Sequence, residues 1–408
     1  LRGSWGALGN QNTSNLYPFY EILPVKSNSG NWLVNGGKTN TADIPSLVST
    51  LLTWERVRSF NVGFDFGAFS NRLTGSFDYF VRKTVDMVGP APQLPLVLGI
   101  APAIVNNADM KSYGFEIELS WRDRIGEVDY GVKFNLADAQ QKVVKYPNTT
   151  NAFSDWYAGK MSGEIWGYTS LGIAKTDEEM KEHLASLPNG GQNQLGNKWG
   201  AGDIMYADIN GDGKVDGGKG TLADPGDQRI IGNSTPRYNF GLVLDASYKG
   251  FDVSIFFQGV GKRDYAPIVG TNGAVFGGAV NNIWQSMAME EHFDYFRPEG
   301  HPMGANLNGY YPRPDFTSNK NHQVQTRYLQ DASYIRLKNL QIGYTLPKQW
   351  INKLHINRCR VYVSGDNLWT GTSLASMFDP ETLAAGDWGS GKTYPLSKVI
   401  SFGLNVNF

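Results

Sequence analysis

Apolar and polar residues alternate along short stretches of this chain, and a period of two predicts β-strands. Residues 399–408 show the pattern clearly: Ile400, Phe402 and Leu404 fall on one face, while serine, glycine and asparagine fall on the other. In a soluble sandwich the apolar face would pack on a core. In an outer-membrane barrel the same face meets lipid, and the polar face lines the lumen.

The same alternation recurs in pairs of segments separated by short turns, which indicates β-hairpins. Residues 69–72 form the first turn, the charged segment 122–127 the second, and residues 248–250 the third. Together with segments 1–9 and 399–408, the hairpins give about ten strands. The predicted hairpins pair 60–68 with 73–82, 114–121 with 128–138, 238–246 with 251–257, and 334–346 with 355–366.

Long connections alternate with these short turns. The long ones are 10–53, 86–110, 143–235, 263–331 and 367–395. Compact soluble domains rarely hold structureless loops of that size, whereas outer-membrane barrels combine short periplasmic turns with long extracellular loops. We therefore predict an all-β protein, a transmembrane antiparallel β-barrel, in preference to a soluble β-protein. All of 1–408 would belong to the barrel, with 143–235 and 263–331 as long extracellular loops.

An open sheet of ten strands would leave two edges whose backbone groups cannot be satisfied in lipid. Large plugged transporters have about 22 strands, so we expect this chain to supply the C-terminal strands of such a barrel. The chain begins at Leu1 without a methionine or a signal peptide, which favours a fragment of a longer precursor.

Composition narrows the range of functions. Charged residues make up 18% of the chain and the formal net charge is -1, so we expect no nucleic-acid partner. The single cysteine, Cys359, excludes an internal disulfide and a cysteine-rich metal site. No apolar run reaches the roughly 18 residues that a transmembrane helix needs. No pairing of a nucleophile with a base is visible, so we expect that the chain is not an enzyme.

Segments spread over the whole chain resemble the C-terminal half of the SusC-type TonB-dependent transporters of Bacteroidetes outer membranes. The specific segments include 163–168 (GEIWGY), 206–213 (YADINGDG), 227–233 (DQRIIGN), 334–339 (YIRLKN) and 364–368 (SGDNL). The resemblance implies a barrel of about 22 strands. It also implies an N-terminal plug bearing a TonB box, which this chain lacks, and a SusD-type surface lipoprotein as a lid. Such transporters import glycan fragments or peptides across the outer membrane with energy from the TonB complex.

Residues 208–216 have the spacing of an EF-hand-type calcium loop, with Gly213 at the sharp turn. The position of the bidentate acid holds Lys219. The resemblance implies an acid soon afterwards, for which Asp227 is the better match and Asp224 the alternative. We predict a structural Ca²⁺ clip in an extracellular loop, the alternative being a solvated turn without an ion. The predicted ligands are the side chains of Asp208, Asn210, Asp212, Asp216 and Asp227, and the carbonyl of Lys214.

Other motifs have simpler interpretations. Residues 386–393 match the spacing of a phosphate-binding P-loop, but no buried strand precedes them and no helix follows, so we interpret them as a glycine-rich loop. The five histidines lack metal-ligand spacing. Segment 177–184 predicts a short helix within a loop. Loop tryptophans could stack on sugar rings or pack the loops together: Trp156, Trp166, Trp199, Trp284, Trp369 and Trp388.

The leading hypothesis is thus TonB-dependent import of oligosaccharides or peptides through the outer membrane, with lipid around the barrel wall. Aromatic residues of the 263–331 loop, such as Trp284, Phe293, Phe296 and Tyr311, would contact the lipoprotein lid. The alternatives are a surface glycan-binding or glycan-degrading β-protein, a calcium-dependent binding module of the dockerin kind, and a passive porin-like channel. The sequence does not identify substrate-binding residues.

Overall fold

A computed structural model describes residues 1–11, 20–45, 47–91, 97, 100, 102–267, 290–315, 320–352, 355–383 and 394–408. The helices are α1 (Asp177–Ala185), α2 (Lys348–Ile351) and a 3₁₀ helix at Glu290–Phe293. The strands are β1 (Arg2–Asn10), β2 (Val25–Lys26), β3 (Leu33–Val34), β4 (Gly37–Lys38), β5 (Thr41–Ala42), β6 (Glu55–Ala68), β7 (Leu73–Val88), β8 (Asn106–Ile125), β9 (Val128–Lys145), β10 (Glu164–Gly167), β11 (Ser170–Ile173), β12 (Ile204–Tyr206), β13 (Arg229–Asn233), β14 (Arg237–Tyr248), β15 (Phe251–Lys262), β16 (Asp264–Tyr265), β17 (Gln330–Asp331), β18 (Tyr334–Thr345), β19 (Arg358–Thr372) and β20 (Val399–Asn407).

One antiparallel sheet of ten strands dominates the described residues. Its order is β1-β6-β7-β8-β9-β14-β15-β18-β19-β20. The prediction of about ten antiparallel strands is confirmed. Within the described strands β1 and β20 each have one neighbour, so the sheet is open at both edges. No helix in the described part of the chain is long and apolar enough to cross a membrane.

Short turns join neighbouring strands at one end of the sheet. Lys249 and Gly250 both have positive φ (46° and 89°), which is the backbone of a two-residue type I′ hairpin turn. The second turn is shorter than the predicted 122–127, because β8 continues to Ile125. There the Arg124 guanidinium bonds the carboxylate of Asp129 across the hairpin. The alternation of apolar and polar residues ends before β8 does, because the last residues of the strand are mostly charged.

The two faces of the sheet differ as the alternation predicts. Phe60, Phe64 and Phe66 on β6 are 47%, 42% and 38% exposed, and Phe402 on β20 is 85% exposed. The opposite face carries charge: Arg2 donates to both Asp65 and Asp78, and Arg360 donates to Asp252. The strand registers place the following polar residues on this same face: Asp65, Asp78, Asn239 and Asp245.

The long connections lie at the end of the sheet opposite the short turns. This follows because neighbouring strands are antiparallel and the short and long connections alternate along the chain. They are not structureless, because they hold α1 and five two-stranded pairs (β2–β5, β3–β4, β10–β13, β11–β12 and β16–β17). The helix predicted at 177–184 is confirmed as α1, where the Thr176 hydroxyl accepts from the Glu179 amide as an N-cap. The link after Pro347 contains α2, which the sequence did not predict.

The hydrophobic core lies in these connections and not between sheets. We call the described parts of 146–236, 263–333 and 373–398 the cap. Its buried cluster is Tyr168, Leu187, Ile204, Tyr206, Val215, Tyr265, Tyr311, Tyr328, Ala332, Leu374 and Phe378. Five of these eleven side chains are tyrosines, so the core contains hydroxyl groups that need hydrogen-bond partners.

The open edges and the exposed apolar face generate a stability prediction. Expressed alone in detergent-free buffer, the chain should aggregate, because unpaired strand edges and apolar faces associate in water. Size-exclusion chromatography and denaturant titration check this. A monomeric species that unfolds cooperatively without detergent would contradict the assignment of the sheet to a membrane wall.

Candidate functional site

A buried carboxylate holds two of the cap's connections together. Asp203 is fully buried, and its oxygens accept from Arg313 (Nε 2.9 Å, Nη2 2.7 Å), Lys320 Nζ (2.8 Å) and Asn321 Nδ2 (3.0 Å). The Gly200 amide donates to it as well. Lys320 is itself 1% exposed. Removing one partner from such a group leaves an uncompensated buried charge, so the cluster fixes connection 146–236 against 263–333.

A second ionic cluster attaches the 373–398 connection to the ten-stranded sheet. Arg336 on β18 is buried and donates to Asp379 (2.7 Å), Glu381 (2.8 Å) and the Thr370 hydroxyl (2.8 Å). Lys338 donates to the other oxygen of Glu381 (2.6 Å). The sequence predicted neither cluster, because the partners lie far apart along the chain and follow no recognisable spacing.

The predicted calcium loop, 208–216, lies in the first of the cap's connections. The Asp208 carboxylate accepts from the Gly211 amide (2.6 Å) and the Gly213 amide (2.8 Å). Asn210 Oδ1 accepts from the Asp212 amide at 3.0 Å, and Asp212 Oδ1 accepts from the amide two residues on. The Asn210 and Asp212 bonds are Asx turns, in which a side chain accepts from the amide two residues on, whereas Asp208 accepts from amides three and five residues on. Gly213 has φ +78°, as the predicted sharp turn requires.

Asp227, which follows the glycine-rich segment 217–226, closes this loop. It is fully buried and accepts from the amides of Ile209 (2.7 Å), Asn210 (3.3 Å) and Asp216 (2.8 Å). Burial raises the pKa of the Asp227 carboxyl, while the three amide bonds act in the opposite direction. The Asp224 backbone instead bonds Lys219 and Thr221 within the 217–226 segment.

The predicted ligands lie together, but their oxygens face the loop's own donors. Lys214 Nζ lies 2.5 Å from Asp216 and 3.8 Å from Asp212, and its hydrogen bond lowers the pKa of the Asp216 carboxyl. Throughout the described residues, no three His, Cys, Asp or Glu side chains form an arrangement that could hold a metal ion. The donors are the hard oxygens that Ca²⁺ prefers, yet coordination requires the Lys214 ammonium to move away.

Several loop tryptophans pack against aromatic neighbours. The ring centroids are 4.6 Å apart for Trp166 and Phe153, 6.0 Å for Trp156 and Tyr146, and 6.4 Å for Trp199 and Tyr206. Trp369 on β19 is 52% exposed. Trp284, Trp388 and the P-loop-like segment 386–393 lie outside the described residues. The three packed rings contribute to the structure of the connections.

Comparison with known proteins places the fold. Residues 1–368 match the family model described as TonB dependent receptor-like, beta-barrel. TonB-dependent receptor P3 of Formosa agariphila is 29% identical, with the match covering 100% of this chain and 39% of that protein. TonB-dependent receptor SusC of Bacteroides thetaiotaomicron is 21% identical, covering 100% and 37%. The solved RagAB peptide transporter shares the fold, with a TM-score of 0.71 at 24% identity over 100% of this chain and 40% of that one. The chain thus spans about 40% of the length of these proteins.

The Asp203 cluster generates a second prediction. In the complete protein, Asp203→Asn should loosen the cap, because Lys320 would lose its buried counter-charge at a cost of about 3–5 kcal/mol. Hydrogen exchange at residues 198–206 and 320–328 should accelerate. Asp43→Asn is the matched control, since Asp43 and Lys26 form an exposed pair worth less than about 1 kcal/mol. Equal exchange in both variants would refute the role of Asp203 as a lock.

Proposed function

Because the chain belongs to the TonB-dependent receptor-like β-barrel family, we propose that it forms part of the wall and the external cap of an active importer. The family match over residues 1–368 is the observation that carries this proposal. The resemblance to SusC-type transporters is confirmed by the relatives. The family consists of outer-membrane transporters and receptors, which are not enzymes, and the chain is an outer-membrane protein.

The two faces of the sheet have separate roles in this proposal. The apolar face, with Phe64 and Phe402, contacts lipid hydrocarbon, where apolar side chains are stable and charges are costly. The charged face, with its Arg2 and Arg360 ion pairs, lines a wide lumen. An N-terminal plug occupies that lumen at rest, and the TonB complex acts on the plug to release substrate inwards.

Substrate enters from the capped side, which we place outside the cell. Glycan fragments or peptides are the proposed cargo: the resemblance to SusC-type transporters supports both, and the RagAB neighbour is described as a peptide transporter. A cap with a core of its own supplies fixed walls for a binding site. The fixed geometry follows from the Asp203 and Arg336 clusters, which limit the motion of the connections.

A SusD-type surface lipoprotein is the proposed partner of the cap. Exposed apolar side chains on the cap, including Leu171, Phe293 and Met303, suit the anchors of a protein interface. Two aromatics that the sequence suggested for this interface have another role, because Phe296 and Tyr311 are buried within the cap. Trp284 lies outside the described residues.

The transport proposal is tested in the native membrane with the complete protein. Deleting 263–331 should abolish uptake and the co-purification of a surface lipoprotein, because the deletion removes Lys320 and Arg313 and opens the cap. Removal of the small strand pairs at 25–42 is a control on a different connection. Uptake in wild-type cells should also cease when TonB is deleted. Uptake that persists without TonB and without the 263–331 connection would favour a passive porin-like channel.

We further propose that loop 208–216, closed by Asp227, binds Ca²⁺ as a structural clip. Backbone amides of the loop already hold the side-chain oxygens of Asp208, Asn210 and Asp212 in place, and the carbonyl of Lys214 is a further potential ligand. Asp216 becomes available when the Lys214 ammonium swings into solvent. The ion would stiffen the 200–230 segment, and no transport step passes through it.

Calcium dependence of proteolysis tests the clip. A ligand at 100 times its Kd stabilises the bound state by about 2.7 kcal/mol, so Ca²⁺ should slow cleavage within 200–230 relative to EGTA. Asp212→Ala, which removes the ligand oxygen, should remove this protection, whereas Asp224→Ala should retain it as the matched control. Cleavage at the same rate with and without Ca²⁺ would support the solvated turn without an ion.

A further inference from the structure

Four basic residues occupy a single row of the ten-stranded sheet. The strand registers pair them directly across β6, β7, β8 and β9: Arg58 with Lys83, Lys83 with Lys111, and Lys111 with Lys142. Directly paired residues of antiparallel strands lie on the same face, with their Cβ atoms about 4.5–5.5 Å apart. The four strands therefore present a continuous line of positive charge, which we call the basic row.

The basic row lies on the apolar face of the sheet, at the end nearer the cap. The next row towards the short turns contains Phe60 and Val81, which pair across β6 and β7. Arg58 is ten residues from Ala68, the last residue of β6. Ten residues of a strand tilted by about 40° rise roughly 25 Å, which is the height of the apolar band of an outer-membrane barrel. The basic row therefore lies where such a band ends, on the capped side.

The charges of the basic row have no carboxylate partner in the part of the chain that the structure describes. None of the four side chains forms an ion pair there, and Arg58, Lys83 and Lys142 are exposed. The Lys111 ammonium lies 4.9 Å from the centroid of the Tyr113 ring, a contact that leaves its charge in place. Like charges directly opposite each other destabilise a sheet, so an anion bound along the row would stabilise this one.

The nearest carboxylates already have other partners. Further towards the cap, Asp86 accepts from the Arg56 guanidinium, and Asp109 accepts from the Asp86 amide. Three cations at the short turns are also matched within the chain: Arg72 with Asp123, Arg124 with Asp129, and Lys249 with Glu127. Neutralisation of the basic row therefore depends on a ligand from outside the described chain.

We propose that the basic row binds the phosphate groups of an anionic glycolipid in the outer leaflet of the outer membrane. The inference rests on the proposed function, which places the capped side outside the cell and the apolar face in lipid. A lipid whose acyl chains lie along Phe60 and Val81 carries its phosphate at the height of the row. Lysine and arginine side chains reach a headgroup while their stems stay on apolar surface. An acidic protein or a free phosphate ion would lack the acyl contact.

Binding of monophosphoryl lipid A to the complete transporter in detergent tests the proposal, and the same lipid after enzymatic dephosphorylation is the comparison. Wild-type protein should prefer the phosphorylated form. Lys83→Gln with Lys111→Gln should weaken its binding roughly thirtyfold, or about 2 kcal/mol, because each cation near an anionic lipid contributes about 1 kcal/mol. Lys83→Arg with Lys111→Arg should bind like the wild type, which separates the loss of charge from misfolding.

Arg82→Gln with Lys133→Gln is the matched control, because these exposed cations lie on the opposite face of β7 and β9. This control should bind the lipid as the wild type does. Equal affinity of the wild type for both lipids, or unchanged affinity in the Lys83/Lys111 glutamine variant, would overturn the assignment.

Two further results would replace the lipid with another ligand and so overturn the proposal. Displacement of the lipid by inorganic phosphate at equal concentration would indicate a general anion site. Loss of a co-purifying lipoprotein from the glutamine variant, with lipid binding unchanged, would indicate a protein contact. TonB-dependent uptake is measured separately, because uptake that continues without TonB contradicts the transport proposal alone.

Discussion

Lipid offers no hydrogen bonds, so every backbone amide and carbonyl within a membrane wall must be paired by a neighbouring strand. In the ten-stranded antiparallel sheet, each of the eight inner strands pairs with a neighbour on both sides. The same condition makes the chain dependent on further strands at β1 and β20, whose outer edges have no partner within the described strands. A lipid-facing position also accounts for Phe402, which is 85% exposed on β20.

A wall of this kind has no interior for a hydrophobic core, so the core lies in the cap. The cap is held partly by apolar and tyrosine packing and partly by buried charges. Asp203 links two connections, and Arg336 links a third to the wall. Ordering connections of this length costs backbone conformational entropy. The Asp203 and Arg336 clusters attach the connections at specific points.

The wall was predictable because strand periodicity depends only on neighbouring residues. Residues 248–250 marked their turn in advance, and segment 177–184 marked α1. The apolar pattern failed at the strand ends, where Arg124 pairs across the hairpin. The cap's clusters were not predictable, since Asp203 and Lys320 are 117 residues apart and neither belongs to a motif. Loop 208–216 was recognisable from spacing, but the turn of its oxygens towards backbone amides depends on the fold.

The placement of the cap outside the cell and of the short turns inside is the central claim. Labelling of introduced cysteines with a membrane-impermeant maleimide measures it most directly, in a Cys359→Ser background. Glu299→Cys lies in the cap, and Glu127→Cys lies in a short turn at the opposite end of the sheet; both positions are exposed. In intact cells only Glu299→Cys should be labelled, and Glu127→Cys should react only after the outer membrane is permeabilised. Labelling of both cysteines in intact cells, or the reverse pattern, would contradict this placement.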